Sequence, residues 1–388
     1  MHKSLDYSAK LCTIVNMDRI QLPLIEKDLA KKLVFLTGPR QVGKTHLALD
    51  LLKKSANGVY LNYDNVEDRA IITRTAWLPS TELLVLDELH KMAEWKNFLK
   101  GIFDTRPPQL KILVTGSARL DTFRSTGDSL AGRYFRHRLN PLSAAEIPGA
   151  SESTLDTLMS RGGFPEPFLA ATDQDADRWR MQYVDGLIRT DILDFERIHD
   201  LRAMQLTLEL LRRRVGSPIS ITSLAQDVAC APNTIKKYLE ILEALFIVFR
   251  VTPFHHNIAR SLLKEPKLYF YDTGLVKGDD GLRFENLMAV SLLKHVNAIE
   301  DYEGKRAALH YLRTKEKKEV DFALAVEDQP TTIIEAKLSD NEVNPSLRYF
   351  HEKYDLPAVQ VVRHLRQERM AGKIAIRRAL GFLRGLKM

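Results

Sequence analysis

Gly38-Pro39-Arg40-Gln41-Val42-Gly43-Lys44-Thr45 decides how the rest of the chain is read. The eight residues fit G-x-x-x-x-G-K-[ST], and their context agrees: LVFLT ahead of them reads as a buried strand and HLALDLLKK behind them as a helix. The glycines let backbone amides close around phosphate oxygens, and the helix N-terminus adds its dipole. Lys44 then reaches the β and γ phosphates, and Thr45 offers a hydroxyl to Mg²⁺. The expected ATP contacts are Gly38, Pro39, Arg40, Gln41, Val42, Gly43, Lys44, Thr45 and His46.

Outward from this loop, short apolar runs alternate with amphipathic segments from Lys32 to about Ile147, as LVFLTG, VYLNYD, LLVLDE and ILVTGS. Strands alternating with helices predict a parallel sheet covered on both faces. A second piece of the site is expected on a neighbouring strand, and LLVLDE (Leu83 to Glu88) supplies it. In this reading Asp87 holds Mg²⁺ through water and Glu88 polarises the attacking water, which separates a hydrolase from a protein that only binds nucleotide. The next strand ends in Thr115 and Ser117, of which Ser117 is the preferred contact to the γ phosphate or the water. Arg133, in SLAGRYFRHRLNPLS, brings positive charge to the phosphoryl transition state, in cis or to a neighbouring subunit of a homo-oligomer. The competing reading makes Arg133, Arg136 and Arg138 a solvated face.

A chain of 388 residues, 45% hydrophobic and 28% charged, predicts two or three soluble domains. No uncharged apolar run approaches the roughly 18 residues that cross a bilayer. MHKSLDYSAK has no apolar stretch of a secretory signal, so no membrane partner is expected. Cys12 and Cys230 stand far apart and in no metal-ligand spacing, which argues against a disulfide framework or zinc site and for reduced thiols in a cytoplasm. The net charge of +7 has one source: Arg363 to Met388 holds eight bases and one acid, while the rest balances at 49 against 49. Such a patch reads either as a footprint for nucleic acid or as a solvated helix face.

From about Leu155 to Leu245 the apolar spacing turns helical, as in MQYVDGLIRTDILDF and MQLTLELLRRRV. After Pro253 strand signals return in KLYFYD, EVDFALAV and TTIIEAKL, with the amphipathic FENLMAVSLLKHV between the first two. Three domains are expected: 1–152, 153–255 and 256–388.

GPRQVGKT, LLVLDE, TGSAR, SLAGRY, NPLS and GGFPE (Gly162 to Glu166) together resemble the bacterial and archaeal AAA-type ATPases that carry a C-terminal uncharacterised domain. The resemblance continues through KLYFYDTGL (Lys267 to Leu275), FENL (Phe284 to Leu287), EVDF (Glu319 to Phe322) and EAK (Glu335 to Lys337), and so covers nearly the whole chain. It implies an AAA-type P-loop α/β module, a helical and winged-helix-like middle, and a C-terminal α/β fold similar to PD-(D/E)XK nucleases.

Within the middle, ISITSLAQDVACAPNTIKKYLEILEAL reads as a helix, a short turn and a second helix opening at Pro232. In a DNA reader Asn233, Thr234, Lys236 and Lys237 face the duplex, with Arg212 to Arg214 adding backbone contacts; the same module also serves as a domain spacer. In the C-terminal region EVDFALAV and TTIIEAKL flank the turn EDQP as a hairpin. Glu335 and Lys337, two apart, point the same way, and with Asp321 on the partner strand they form the set a Mg²⁺- or Mn²⁺-dependent phosphodiesterase uses. Glu285 matches the resembled family's helical acid and completes that set.

Overall fold

Apolar residues fill every position of Leu33–Thr37 (β1) and Leu83–Asp87 (β3) except the last, and both strands are buried throughout. Strands of this kind are covered on both faces, as parallel sheets are. The computed structural model describes residues 19–116, 130–188, 200–254, 265–339 and 342–388. The chain divides into two units, Met1–Asn140 and Pro141–Met388.

In the first unit the described elements run α1 (Leu22–Leu29), β1, α2 (Lys44–Lys53), β2 (Gly58–Asn62), α3 (Val66–Arg74), β3, α4 (Trp95–Thr105), β4 (Lys111–Thr115) and β5 (Tyr134–Arg138). The five described strands form a parallel sheet in the order β2-β3-β4-β1-β5. Phe35, Leu84, Leu86, Ile112 and Val114 pack with Ile72 of α3 and with Trp95, Leu99 and Ile102 of α4. The sequence places Asp87 on a strand beside β1, and the structure corrects this. β4 lies between them, with Leu113 opposite Val34 and Leu86 opposite Val114. Strand order depends on where each crossover lands, and a buried run such as LLVLD looks the same in any interior position.

In the second unit α5 (Glu152–Arg161), α6 (Pro165–Phe168), α7 (Asp173–Gly186), α8 (Leu201–Arg212), α9 (Ile221–Val228) and α10 (Pro232–Ala244) precede the strands. Then come β6 (Val248–Pro253), β7 (Lys267–Phe270), α11 (Asp280–Ala298), β8 (Ala307–Arg313), β9 (Glu319–Val326), β10 (Gln329–Ser339), α12 (Pro345–Tyr354), β11 (Ala358–His364), β12 (Arg369–Ala371), β13 (Ile374–Arg378) and α13 (Ala379–Arg384). The described strands form a mixed sheet, β12-β13-β11-β10-β9-β8-β6-β7. Between β9 and β10, Glu327 and Asp328 both take positive φ (51° and 62°), the geometry that a two-residue hairpin turn requires. Leu347 and Phe350 of α12 pack on one sheet cluster with Val320, Ile333, Val362 and Ile376.

Two sequence motifs meet here around one ion pair. Arg180 of α7 donates from Nε to Asp272 Oδ2 at 2.8 Å, and both side chains are buried. A Cβ on Gly162 would overlap the Asp272 carboxylate, and one on Gly274 would overlap the Arg180 guanidinium. The glycines of GGFPE and YDTGL are therefore the space that this pair occupies. Asn286 of FENL clamps β7 from the other side, accepting from Phe270 N–H at 2.8 Å and donating to Phe270 O at 3.0 Å.

The basic segment holds more strand than helix, and its bases other than Arg363 are exposed. Residues 363–388 supply the end of β11, then β12, β13 and α13, because Ile374 and Ile376 are buried with a strand's period of two. Arg363 is buried and pairs with Glu152 and Asp156. Arg377 pairs with Glu368, and Lys387 with Glu303. No helix among the described residues is long and apolar enough to cross a membrane.

Candidate functional site

The loop from β1 to α2 takes positive φ at Gly38 (145°), Gln41 (58°) and Gly43 (101°). At Gly38 the requirement is also steric, since a Cβ would overlap the Leu139 carbonyl oxygen. Gly43 is the N-cap of α2, so the loop ends at a helix N-terminus. Lys44 is buried, and its Nζ donates to Gly38 O at 2.9 Å and Pro39 O at 2.6 Å, which holds the ammonium at the loop. His46 lies 3.4 Å from Asp50 one turn on, so its side chain follows α2.

Asp87, at the C-terminal end of β3, gathers this region. Its Oδ2 accepts from Thr45 Oγ1 at 3.1 Å and from Tyr60 Oη at 2.5 Å. Its Oδ1 accepts from Thr115 Oγ1 and, at 3.0 Å, from the Glu88 N–H. Hydroxyls from α2, β2 and β4 thus converge on one carboxylate. Burial, and then the bond to Asp87, pushes the Tyr60 phenol well above its usual range, so it stays a donor. Ser117 lies outside the described residues; the described polar residue at the end of β4 is Thr115.

Glu88 follows in the left-handed region (φ 54°). Its buried Oε2 makes no hydrogen bond and lies 3.5 Å from His90 Nε2 and 3.8 Å from Lys91 Nζ. Burial and the adjacent Asp87 raise its pKa against the pull of Lys91, Lys44 and Arg40. A carboxylate raised in this way is a stronger base than a free one. Thr45 and Asp87 suit Mg²⁺, which takes one or two protein oxygens and completes its shell with phosphate and water. Among the described residues no three His, Cys, Asp or Glu side chains form a metal cage, and Mg²⁺ in this role needs none.

Arg133 is not brought to this site. It precedes β5, whose Arg138 is opposite Thr37 while Tyr134 is opposite Leu33. Five residues of strand put it about 16 Å from the loop end of the sheet. There it grips Asp104 with Nε at 2.8 Å and Nη2 at 3.0 Å. The role in cis is therefore unavailable to it. Two residues that the sequence did not single out belong to the site. Arg19 donates to Val42 O at 2.6 Å and Asn140 O at 3.0 Å, bracing the loop from a segment with no motif. Tyr60, the other, was visible only as an aromatic in VYLNYD. Tyr60→Phe is expected to raise the Mg²⁺ concentration for half-maximal turnover by ~5–10-fold, the value of about one hydrogen bond. Nucleotide binding without Mg²⁺ should stay unchanged, and an unaltered Mg²⁺ titration would reduce Tyr60 to packing.

In the second unit the structure brings Glu285, Asp321, Glu335 and Lys337 together. Ile334 is opposite Phe322, which sets Glu335 beside Asp321. Asp321 Oδ2 accepts from Ala336 N–H at 3.0 Å, and Lys337 Nζ donates to Glu335 Oε1 at 2.7 Å. Burial, and then Asp321, pushes Glu285 up to about 8 and Glu335 up to about 7. Lys267, absent from the sequence reading of this site, stands among them. Burial pulls its pKa down, but Glu285, Asp321 and Glu319 outweigh that and push it up to about 12.

The helices α9 and α10 are joined by residues 229–231, with Ala229 in the left-handed region. Asn233, Lys236 and Lys237 are exposed and Thr234 is half-buried, while Ile235, Tyr238 and Leu239 form the inner face. Arg212 is committed to Leu275 O and Glu209, and Arg214 to Asp227, within the same unit.

Residues 30–148 match the family described as AAA domain. Residues 152–282 and 280–378 match two families described as domains of unknown function, DUF8612 and DUF4143. An uncharacterized protein of Mycobacterium tuberculosis is 28% identical over 348 residues, covering 85% of this chain and 78% of its own length. One from Haemophilus influenzae is 26% identical over 336 residues, covering 76% and 80%. Among solved structures, a Walker-type ATPase of Pyrococcus abyssi aligns with a TM-score of 0.45 at 15% identity, over 67% of this chain and 95% of that one. The segment that holds Gly38 to Thr45 lies within the stretch that matches the AAA domain family.

Proposed function

We propose that this chain binds ATP with Mg²⁺ and hydrolyses it at the loop between β1 and α2. The observation that carries this reading is the convergence of Thr45, Tyr60 and Thr115 on Asp87, with the raised carboxylate of Glu88 next to it. The loop amides and Lys44 bind the phosphates, and Glu88 takes up the proton of the attacking water. Mg²⁺, when bound, offsets negative charge on the β and γ phosphates. Glu88→Gln keeps the shape but loses the base. It should retain ATP while phosphate release falls by ~10²-fold or more. Equal release by wild type and Glu88→Gln would sink the hydrolase reading.

The finer reading is that turnover acts on a DNA-associated second unit in a cytoplasmic protein. It is supported by the exposed Asn233, Lys236 and Lys237 at the start of α10. A DNA-binding series in rising salt tests it, because phosphate contacts give a steep slope and a protein partner need not. Division of the second unit into a helical part and a sheet part, near residue 255, belongs to the same proposal. A metal-dependent nuclease reading has one observation in its favour, the convergence of Glu285, Asp321, Glu335 and Lys337. It meets one against it, Lys267 among them. DNA cleavage that needs Mn²⁺ and vanishes in Asp321→Ala and Lys337→Ala would establish it.

A further inference from the structure

The second cation that the nuclease resemblance implies must fit among Glu285, Asp321 and Glu335, and a buried ammonium stands against two of them. Lys267 opens β7 with a side chain only 1% exposed. Its Nζ lies 2.8 Å from Glu319 Oε1, 3.6 Å from Glu285 Oε1 and 3.8 Å from Asp321 Oδ1. The ammonium thus reaches three carboxylates, two on β9 and one on α11. We infer that Lys267 is the resident cation of this cluster and keeps divalent metal out of it.

Three further features support the assignment. The acids already accept from donors of the chain: Tyr269 Oη to Glu285 Oε1 at 2.7 Å, Lys337 and Asn344 to Glu335, and the Ala336 N–H to Asp321. Mg²⁺ or Mn²⁺ demands near-octahedral oxygens at about 2.0–2.2 Å, and a second cation placed among the same oxygens would meet the ammonium at close range. Lys267 is also held where it is. Its backbone bridges Pro218, its Nζ lies 5.4 Å from the Tyr311 ring centroid, and the turn after α8 closes on Glu285, where a Cβ on Gly216 would overlap the carboxylate. A buried ammonium of fixed position cannot make way for metal as an exposed lysine can.

The inference is independent of the ATPase reading, so its test uses nucleotide-free, full-length protein. Mn²⁺ is titrated into wild type, Asp321→Asn, Lys267→Met and the double variant, with free Mn²⁺ read by its paramagnetic resonance signal. Wild type and Asp321→Asn should take up Mn²⁺ alike. Lys267→Met should gain one site at least about tenfold tighter than any in wild type, and Asp321→Asn should remove it again. A wild-type site that disappears in Asp321→Asn would overturn the inference and favour the nuclease reading. A folded Lys267→Met that gains no site would overturn it as well. Should Lys267→Met fail to fold, the comparison of wild type with Asp321→Asn still decides.

Discussion

Lys44→Ala is expected to lower phosphate release by ~10²–10³-fold, the scale on which a preorganised charge at a phosphoryl transition state is felt. The structure gives the reason that no neighbour replaces it. Lys44 is buried, and the Gly38 and Pro39 carbonyls hold its ammonium against the loop, so the charge is already positioned before nucleotide arrives. The Arg19 brace on Val42 and the steric limit at Gly38 keep that loop from re-forming around a different cation. The substitution also takes the donor away from the Gly38 and Pro39 carbonyls, so the loop loses some support of its own. A thermal melt of the variant therefore separates lost chemistry from lost structure. Phosphate release at the wild-type rate from the folded variant would refute the assignment of this loop.

Arg180→Ala is expected to cost ~3–5 kcal/mol of stability in the second unit, as loss of one partner from a buried ion pair does. Asp272 would be left buried in space that Gly162 and Gly274 open only for the pair. Burial already raises the Asp272 pKa, and Arg180 is the first group opposing that shift. Without Arg180 the folded-state pKa rises further above the unfolded one. The folded state then binds the extra proton, so the loss should shrink as pH falls and grow as pH rises toward neutrality. Urea unfolding at two pH values reads both effects. Replacing the pair together, as Arg180→Met with Asp272→Leu, should recover much of the loss, since no uncompensated charge remains. An Arg180→Ala transition that coincides with wild type would show that the pair contributes nothing.

Particular residues show how much was legible in advance. The P-loop, the Asp87 and Glu88 pair, the α9–α10 connection and the β9–β10 hairpin were all readable, because each is a local pattern in which spacing alone sets geometry. Arg133 was legible as a residue but not as a place. A preceding glycine or a nearby motif says nothing about which end of a strand a side chain occupies. Arg363 and Arg377 counted only as charge in the sequence, yet the strand period of Ile374 and Ile376 folds them into a sheet where each has an acidic partner.

The sequence by itself determined the nucleotide loop and the alternation of strand and helix around it, since phosphate binding needs particular residues at fixed separations along one stretch of chain. Only the tertiary structure decided that β4 divides β1 from β3, that Tyr60 and Arg19 join the site, and that Lys267 stands among the carboxylates. These facts depend on crossovers and on contacts between residues tens to hundreds of positions apart. Their energies come from burial and pairing, which a linear pattern does not record.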